Sequence, residues 1–341
     1  MPVLVIDKPK GPTSFAVVKT VARQVRAYRA AGGQGMPEPA RIGHGGTLDP
    51  MATGVLPVCI GEATKLAPFL LEADKAYEAT IGLGVQTDTL DAEGQVVARA
   101  PVGTITLQQI EQVLSRFRGS ITQVPPMHSA LKRDGKPLYE YARQGIELER
   151  QPRSLTIFEL RVLDFDPVGS LSLFVHCSKG TYIRVLGADI AQALGPGGHL
   201  TALRRTASGP FSLAQSITLD DLQARCAAAA ALPSVGLAEA LVHMPSVILT
   251  EHQAFRVGMG QKLPWEDLRT AAGHSGLLCL LRPDKTLLAV AEENEEGLAS
   301  LRRVFLAEAP PPSYPWAPAK PRSDTFDEND ASNVHNPALD S

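Results

Sequence analysis

The stretch RIGHGGTLDPMATG occupies residues 41–54 and contains a single acidic residue, Asp49, set between glycines and a proline. His44 lies five residues before it. Three interpretations fit this local chemistry: a carboxylate that caps a turn or helix, which is the commonest role, a phosphate-binding loop, or a nucleophile or general base held by a rigid backbone. The phosphate loop fails, because no GxxxxGK[ST] pattern and no suitably placed GxGxxG pattern occurs. The other two stay open on local chemistry alone.

The residues around this stretch predict a strand, a turn, a helix and a shaped loop. PVLVI at 2–6 is typical of a short buried strand, and DKPKG at 7–11 is typical of a turn. A helix capped by Thr13 or Ser14 is predicted next. Its apolar residues recur at helical spacing, at Phe15, Val17, Val18, Val21 and Val25. Residues 31–40 are rich in Gly and Pro and predict a flexible loop, while 41–61 contain five glycines and two prolines, which suits a backbone shaped around a site.

The rest of the chain predicts an α+β fold. Strand-like segments lie near 76–83, 95–99, 155–164 and 171–177, and helical patterns near 106–117, 137–145, 183–194 and 218–230. Because strands and helices do not alternate strictly, a mixed or antiparallel sheet fits better than a doubly wound one. From about residue 245 the pattern resets to short strands near 246–249, 277–281 and 287–292, and residues 308–341 have the composition of a disordered tail.

Charge and cysteine content narrow the class of protein. The net charge is −3, but the tail carries two basic and six acidic residues, which leaves +1 for residues 1–307 and room for a basic face. The cysteines stand far apart in sequence at Cys59, Cys177, Cys226 and Cys279, so no CxxC zinc clamp is predicted. Scattered cysteines and the lack of a long apolar run indicate a reduced, cytoplasmic protein that does not cross a membrane.

Taken together, the motifs resemble those of the TruB-type tRNA pseudouridine synthases. The core GHGGTLDP at 43–50 and the run ATGVLPVCIGEATK at 52–65 both fit that family. Further motifs follow in the family's order: DKPKG at 7–11 with Thr13-Ser14, DKAY at 74–77, GLGVQTDTLD at 82–91, QVPPMHSALK at 123–132, GKPLYEYARQG at 135–145, HCSKGTYIR at 176–184, and LRR at 203–205 with Ser208-Gly209. The resemblance spans about residues 3–215.

The resemblance implies three catalytic residues and no cofactor or metal. Asp49 is the carboxylate that attacks the flipped uridine, at the base or at the sugar. Tyr77 is the pocket tyrosine, although an isolated tyrosine in a strand is more often a core residue. Arg184 pairs with Asp49 and would aim the carboxylate and stabilise its charge. By itself, an arginine at a helix start would be read as a surface residue.

The resemblance also implies a set of RNA contacts. His44 enters the RNA loop and takes the place of the flipped base, Tyr182 lines the pocket, and Leu203 packs against the base. Six basic residues are candidates for phosphate contacts, although each taken singly would be an ordinary solvated charge: Lys65, Lys132, Arg143, Lys179, Arg204 and Arg205.

The implied organisation is a catalytic domain over 1–240 with a thumb-type insertion at about 123–150, a small β-rich PUA-like RNA-binding domain over 241–307, and the tail. The loop at 28–40 is longer than the family pattern. The implied substrate is uridine 55 in the T-arm of tRNA, acted on by a monomer without an obligate protein partner. Rival interpretations are a guide-RNA-dependent relative and a tRNA-folding chaperone, a role that could accompany catalysis.

Overall fold

The computed structural model describes residues 2–268 and 276–305. The tail predicted at 308–341 lies outside the described residues. The α-helices are α1 (Ser14–Ala30), α2 (Ala67–Glu72), α3 (Leu107–Ser115), α4 (Leu138–Ala142), α5 (Ile183–Leu194), α6 (Leu219–Ala227) and α7 (Glu251–Gly258). Short 3-10 helices span Gly61–Leu66, Leu213–Gln215, Glu239–Leu241 and Trp265–Leu268.

The strands are β1 (Val3–Lys8), β2 (Ile42–His44), β3 (Thr53–Ile60), β4 (Lys75–Leu83), β5 (Val85–Thr87), β6 (Val96–Arg99), β7 (Gly119–Gln123), β8 (Lys132–Arg133), β9 (Lys136–Pro137), β10 (Arg153–Asp166), β11 (Ser170–Cys177), β12 (Gly198–Ser208), β13 (Phe211–Ser212), β14 (Ser234–Val235), β15 (Ser246–Ile248), β16 (Leu278–Leu281), β17 (Leu287–Glu293) and β18 (Ala299–Val304). The predicted strands and helices of the first 240 residues are confirmed within a few residues at each end.

A ten-stranded mixed sheet carries the larger part of the fold. Its order is β14-β1-β3-β12-β4-β11-β10-β7, with β13 added to β12 and β2 added to β3. Its pairings are antiparallel except that of β12 with β3, which is parallel. The predicted α+β class with a mixed sheet is therefore confirmed.

The larger apolar cluster lies on one face of this sheet, where the side chains of the central strands alternate in polarity, while alternate residues of β1 and β3 are buried in a second cluster. In β11 the buried residues Leu171, Leu173 and Val175 alternate with partly exposed ones. Helix α5 packs over this face and buries Leu186 and Ile190 in the same cluster. Strands with a two-residue repeat and a helix with a 3.6-residue repeat thus bury their apolar sides against each other. This burial fixes which side chains of each element face the core.

Helix α1 begins as predicted. The Thr13 side chain accepts a hydrogen bond from the backbone N–H of Ala16 at 3.1 Å and so caps the helix. The predicted valine face is buried and contacts β2, β3 and α6. Phe15 is an exception, because its side chain is 61% exposed. Its assignment to the apolar stripe was wrong, since Phe15 lies exposed at the helix start and is not part of the core cluster.

A second sheet of four strands follows in the order β15-β16-β17-β18. The three predicted strands of this region are confirmed, and β18 is added to them. One apolar cluster is built only from residues of this region, whereas another joins Val5 and Val55 of the first sheet to Leu287 and Val290 of the second. A boundary at 240/241 and a PUA-like identity for this region therefore stay predictions.

The parallel pairing of β3 with β12 positions the loop that carries Asp49. Gly54 of β3 pairs with Arg205 of β12. Its φ is +100°, and a Cβ added there would lie 2.2 Å from the carbonyl oxygen of Arg205. Only glycine allows so close an approach of the two backbones.

Replacing Gly54 by alanine is expected to lower the free energy of unfolding by more than about 3 kcal/mol, because a backbone clash adds to left-handed strain. Gly11→Ala is the matched control, since Gly11 has a φ of +110° but nothing within 4 Å of an added Cβ. Strain alone should limit the control's loss to about 1–3 kcal/mol. Urea unfolding measures both, and equal losses would contradict the role given to the close approach.

Candidate active site

Asp49 and Arg184 meet at the mouth of a cavity of about 610 Å³, which both residues line. Asp49 lies on the loop between β2 and β3, and Arg184 lies in the first turn of α5. The Arg184 Nε atom is 3.0 Å from Asp49 Oδ2, with 6% of the arginine side chain and 38% of the aspartate side chain exposed. A buried cation therefore fixes a carboxylate that still faces the cavity.

Arg184 is itself held from several directions. Its Nη1 donates to the carbonyl oxygen of Thr89 at 2.9 Å, and its Nη2 donates to that of His128 at 2.7 Å. Nη1 also lies 3.4 Å from Oδ2 of Asp91. Because a planar guanidinium presents its donors in a rigid fork, these contacts leave it one orientation toward Asp49.

Asp91 is a site residue to which no role was assigned from the motifs. It is buried, and its Oδ1 accepts hydrogen bonds from Thr89 Oγ1 at 2.6 Å and from the backbone N–H of Glu93 at 3.0 Å. The carboxylate is thus fixed before it contacts Arg184. The only sequence signal was that Asp91 ends the motif at 82–91, and nothing in that motif shows that it meets residue 184.

Two residues near the N-terminus hold the Asp49 loop from beneath. The Ser14 hydroxyl accepts a hydrogen bond from the backbone N–H of Leu48 at 2.8 Å and donates to its carbonyl at 2.9 Å. The buried Lys8 Nζ donates to the carbonyls of Pro50 and Ala52 at 3.2 and 2.6 Å. Burial lowers the pKa of Lys8 to about 8, against the influence of the neighbouring Asp49 carboxylate. Sequence reasoning gave these two residues no role in the site.

Arg205 does not face RNA, and its prediction as a phosphate contact was wrong. The residue is 1% exposed. Its Nε donates to the carbonyl of Val55 at 2.8 Å, and its Nη2 and Nη1 donate to those of Gly46 and Thr47 at 3.0 and 3.3 Å. The guanidinium therefore supplies donors to the inner side of the Asp49 loop, where no phosphate can reach it.

Three other predicted phosphate contacts are already paired within the chain. Arg204 forms a two-point ion pair with Asp7, at 2.7 and 3.1 Å. Lys65 pairs with Glu62, and Lys179 pairs with Glu72. These pairs are partly exposed, so each lysine or arginine could exchange its carboxylate for a phosphate. Their RNA contacts stay predictions.

Lys132 and Arg143 lie on the 123–150 segment and are exposed. Arg143 lines the cavity, and its guanidinium lies 5.3 Å from the ring centre of Tyr139, another lining residue. Of the six basic candidates, Arg143 is therefore the one placed at the cavity itself.

Tyr77 and Leu203 are buried in the same apolar cluster as Leu48, and neither lines the cavity. Burial raises the pKa of Tyr77, and the neighbouring Arg205 guanidinium opposes that rise. The phenol is therefore un-ionised at neutral pH. Contact of either side chain with a base stays a prediction.

His44 lines the cavity, while Tyr182 stands at the start of α5. Burial and the positive charge of Arg205 lower the pKa of His44, which favours the neutral imidazole. The backbone N–H of Tyr182 donates to Gln123 Oε1 at 3.1 Å, which ties α5 to β7. Burial raises the pKa of the Tyr182 phenol.

Residues 2–268 and 276–305 contain neither a metal-binding cluster nor a membrane-spanning helix. No group of three or more His, Cys, Asp or Glu side chains there is arranged to hold a metal ion. No helix there has the length and apolar character needed to cross a membrane. The four cysteines are buried free thiols.

Comparisons with known proteins relate this fold and its carboxylate-lined cavity to the pseudouridine synthases. The family model described as TruB family pseudouridylate synthase (N terminal domain) matches residues 35–183. The model described as tRNA pseudouridylate synthase B C-terminal domain matches residues 184–244. A chain from a crystal structure titled as a Cbf5-Nop10-Gar1 complex superposes with a TM-score of 0.70 at 27% identity, over 89% of this chain and 85% of that one.

Curated relatives agree with the family models. The tRNA pseudouridine synthase B of Aromatoleum aromaticum is 47% identical over 309 residues, which cover 89% of this chain and 92% of that relative. The protein of the same name from Stutzerimonas stutzeri is 42% identical, over 90% of this chain and 96% of that relative. The chain belongs to the TruB family of pseudouridylate synthases, which confirms the resemblance found in its motifs.

Replacing Arg205 by methionine is expected to lower the free energy of unfolding by about 3 kcal/mol or more, because three backbone carbonyls lose a charged donor. Arg143→Met is the control, and its stability should stay within about 0.5 kcal/mol of the parent. Denaturant unfolding measures both. If Arg205→Met kept full stability but bound RNA more weakly, a phosphate contact would have to be restored to Arg205.

Proposed function

We propose that this enzyme converts uridine 55 in the T-loop of tRNA to pseudouridine, with the Asp49 carboxylate as nucleophile. The observation that carries the proposal is the pairing of Asp49 with the buried Arg184 at the cavity mouth. In the reaction the N1–C1′ glycosidic bond breaks, a C5–C1′ bond forms, the hydrogen on C5 leaves as a proton, and N1 takes up a proton. The product is an isomer of the substrate, so the reaction has no net redox change and consumes no co-substrate.

The geometry of the Asp49 side chain supports a covalent mechanism. A carboxylate can attack C1′ and displace the uracil, or add to C6 of the ring, and either route frees the uracil to rotate. Both need a fixed carboxylate with one side open to substrate. Arg184 contacts Oδ2 of Asp49, while the side chain keeps 38% of its surface exposed.

The reaction also requires the uridine to leave the base stack. The cavity of about 610 Å³ has room for an extruded nucleotide. We propose that His44 occupies the vacated position in the RNA loop, since its neutral planar ring can stack between bases. Tyr77 would pack against the uracil, with its protonated hydroxyl available for proton movement, and Tyr182 and Leu203 would complete the pocket.

The choice of tRNA as substrate rests on the family relatives. Those from Aromatoleum aromaticum and Stutzerimonas stutzeri are named tRNA pseudouridine synthase B, and this chain covers 92% and 96% of their lengths. Position 55 in the T-arm follows from the motif resemblance. We further propose that the enzyme is a cytoplasmic monomer that needs no partner protein, and that residues 241–307 are a PUA-like RNA-binding domain.

The test is tritium release from a tRNA transcript labelled at C5 of uridine. About one equivalent per tRNA is expected from the wild type, because the C5 hydrogen must leave when C5 joins C1′. Asp49→Ala should release none while still binding tRNA, since removing a nucleophile lowers the rate by about 10⁴-fold or more. A transcript with cytidine in place of uridine 55 should also release none.

Each other outcome has a defined meaning. Release from Asp49→Ala at the wild-type rate would contradict the nucleophile assignment. Release that survives loss of uridine 55 would preserve the chemistry and overturn the position. Tight tRNA binding without release by the wild type would leave only the tRNA-folding chaperone role, which the motif resemblance also allows.

A further inference from the structure

Phe15 is an exposed aromatic residue at the mouth of the active-site cavity. Its side chain is 61% exposed and lines the cavity together with Asp49 and His44. The Lys19 ammonium lies 4.6 Å from the centre of the Phe15 ring. This contact holds a positive charge beside an open aromatic face, and neither group serves the chemistry described above.

Helix α1 continues this pattern away from the cavity. Its 17 residues include Lys19, Arg23, Arg26 and Arg29 and no acidic residue, although the whole chain has a net charge of −3. Residues 15, 19 and 23 are spaced four apart, so they lie on one side of the helix at intervals of about 6 Å along its axis. All three side chains are exposed.

Lys19 and Arg23 differ from the two arginines that follow. Arg26 and Arg29 both form ion pairs with Glu38, at 3.5 and 3.4 Å. No ion pair of Lys19 or Arg23 is formed within the described ranges 2–268 and 276–305. The two charges nearest the cavity are therefore open to an external anion.

We propose that the α1 face formed by Phe15, Lys19 and Arg23 binds the substrate RNA next to the flipped uridine. A neighbouring base stacks on the Phe15 ring, and backbone phosphates contact Lys19 and Arg23. An aromatic ring followed by a line of cations is the combination that tracks a nucleic-acid strand. The face is continuous with the cavity, so the strand that delivers its base to Asp49 passes beside it. This inference rests on the proposed RNA substrate.

The α1 face is tested by tRNA binding at several salt concentrations, with full-length protein. Lys19→Gln and Arg23→Gln should each weaken binding and reduce the slope of log affinity against log salt by about 0.7–0.9, the value for one lost phosphate contact. Arg116→Gln is the matched control. Arg116 is an exposed arginine that follows α3, and it does not line the cavity. It should leave both quantities unchanged.

Phe15 needs a different readout because stacking does not depend on salt. Phe15→Ala should weaken binding about tenfold with an unchanged salt slope, and Phe15→Trp should restore it. In tritium release, the Phe15→Ala variant should show a raised KM and the wild-type kcat. A merely structural role would instead lower thermal stability and would not be rescued by tryptophan.

The results separate this inference from the proposed function. If the Lys19, Arg23 and Phe15 variants all bind like Arg116→Gln, the α1 face is not an RNA contact, whatever the activity. If the wild type releases no tritium, the proposed function fails. The dependence of tRNA affinity on salt still shows whether the α1 face contacts RNA. A slope that falls equally in Arg116→Gln would also overturn the inference, because the effect would then be one of overall charge.

Discussion

The Arg184 guanidinium is the group on which the site depends. It contacts Asp49 and Asp91 with its charge and the carbonyls of Thr89 and His128 with hydrogen bonds. These partners come from three segments that are distant in sequence. One buried cation therefore joins the loop at 41–54, the turn at 82–91 and the segment at 123–150 at the start of α5. An uncompensated buried charge is unfavourable, so the partners and the arginine require one another.

Buried cations also explain how a glycine-rich loop keeps a fixed shape. Residues 45–52 contribute no helix or strand, and their carbonyls need other donors. Arg205 supplies them on the inner side, and Lys8 supplies them after Asp49. The side chains of these two residues are sequestered from RNA, in contrast to the exposed cations of α1.

The sequence predicted the helices and strands well, but it predicted the roles of individual side chains correctly at some positions and wrongly at others. Local periodicity was enough for α1, α5 and the strands β4 and β11, because their burial follows from a single repeating pattern. Phe15 fitted the apolar spacing of the helix, yet its side chain lines the cavity. Whether a side chain in the first turn of a helix is buried depends on tertiary packing, which local periodicity does not describe. Arg204 and Arg205 are adjacent basic residues in one strand, so their side chains lie on opposite faces of the sheet. Arg204 forms a partly exposed ion pair, whereas Arg205 is buried and donates hydrogen bonds to backbone carbonyls. Asp91 could not be assigned, because its partner lies 93 positions away in the chain.

The most direct test of the central claim is a double-mutant cycle between Arg184→Lys and Asp91→Asn, measured as the single-turnover rate of pseudouridine formation. If Asp91 acts by fixing the orientation of the Arg184 guanidinium, Asp91→Asn should lower the rate of the wild type by about tenfold or more. In the Arg184→Lys background the same substitution should lower the rate far less, because lysine has no planar guanidinium to orient. Losses that multiply independently in the double variant would contradict the account, since Asp91 would then act on the reaction by a route that does not pass through Arg184.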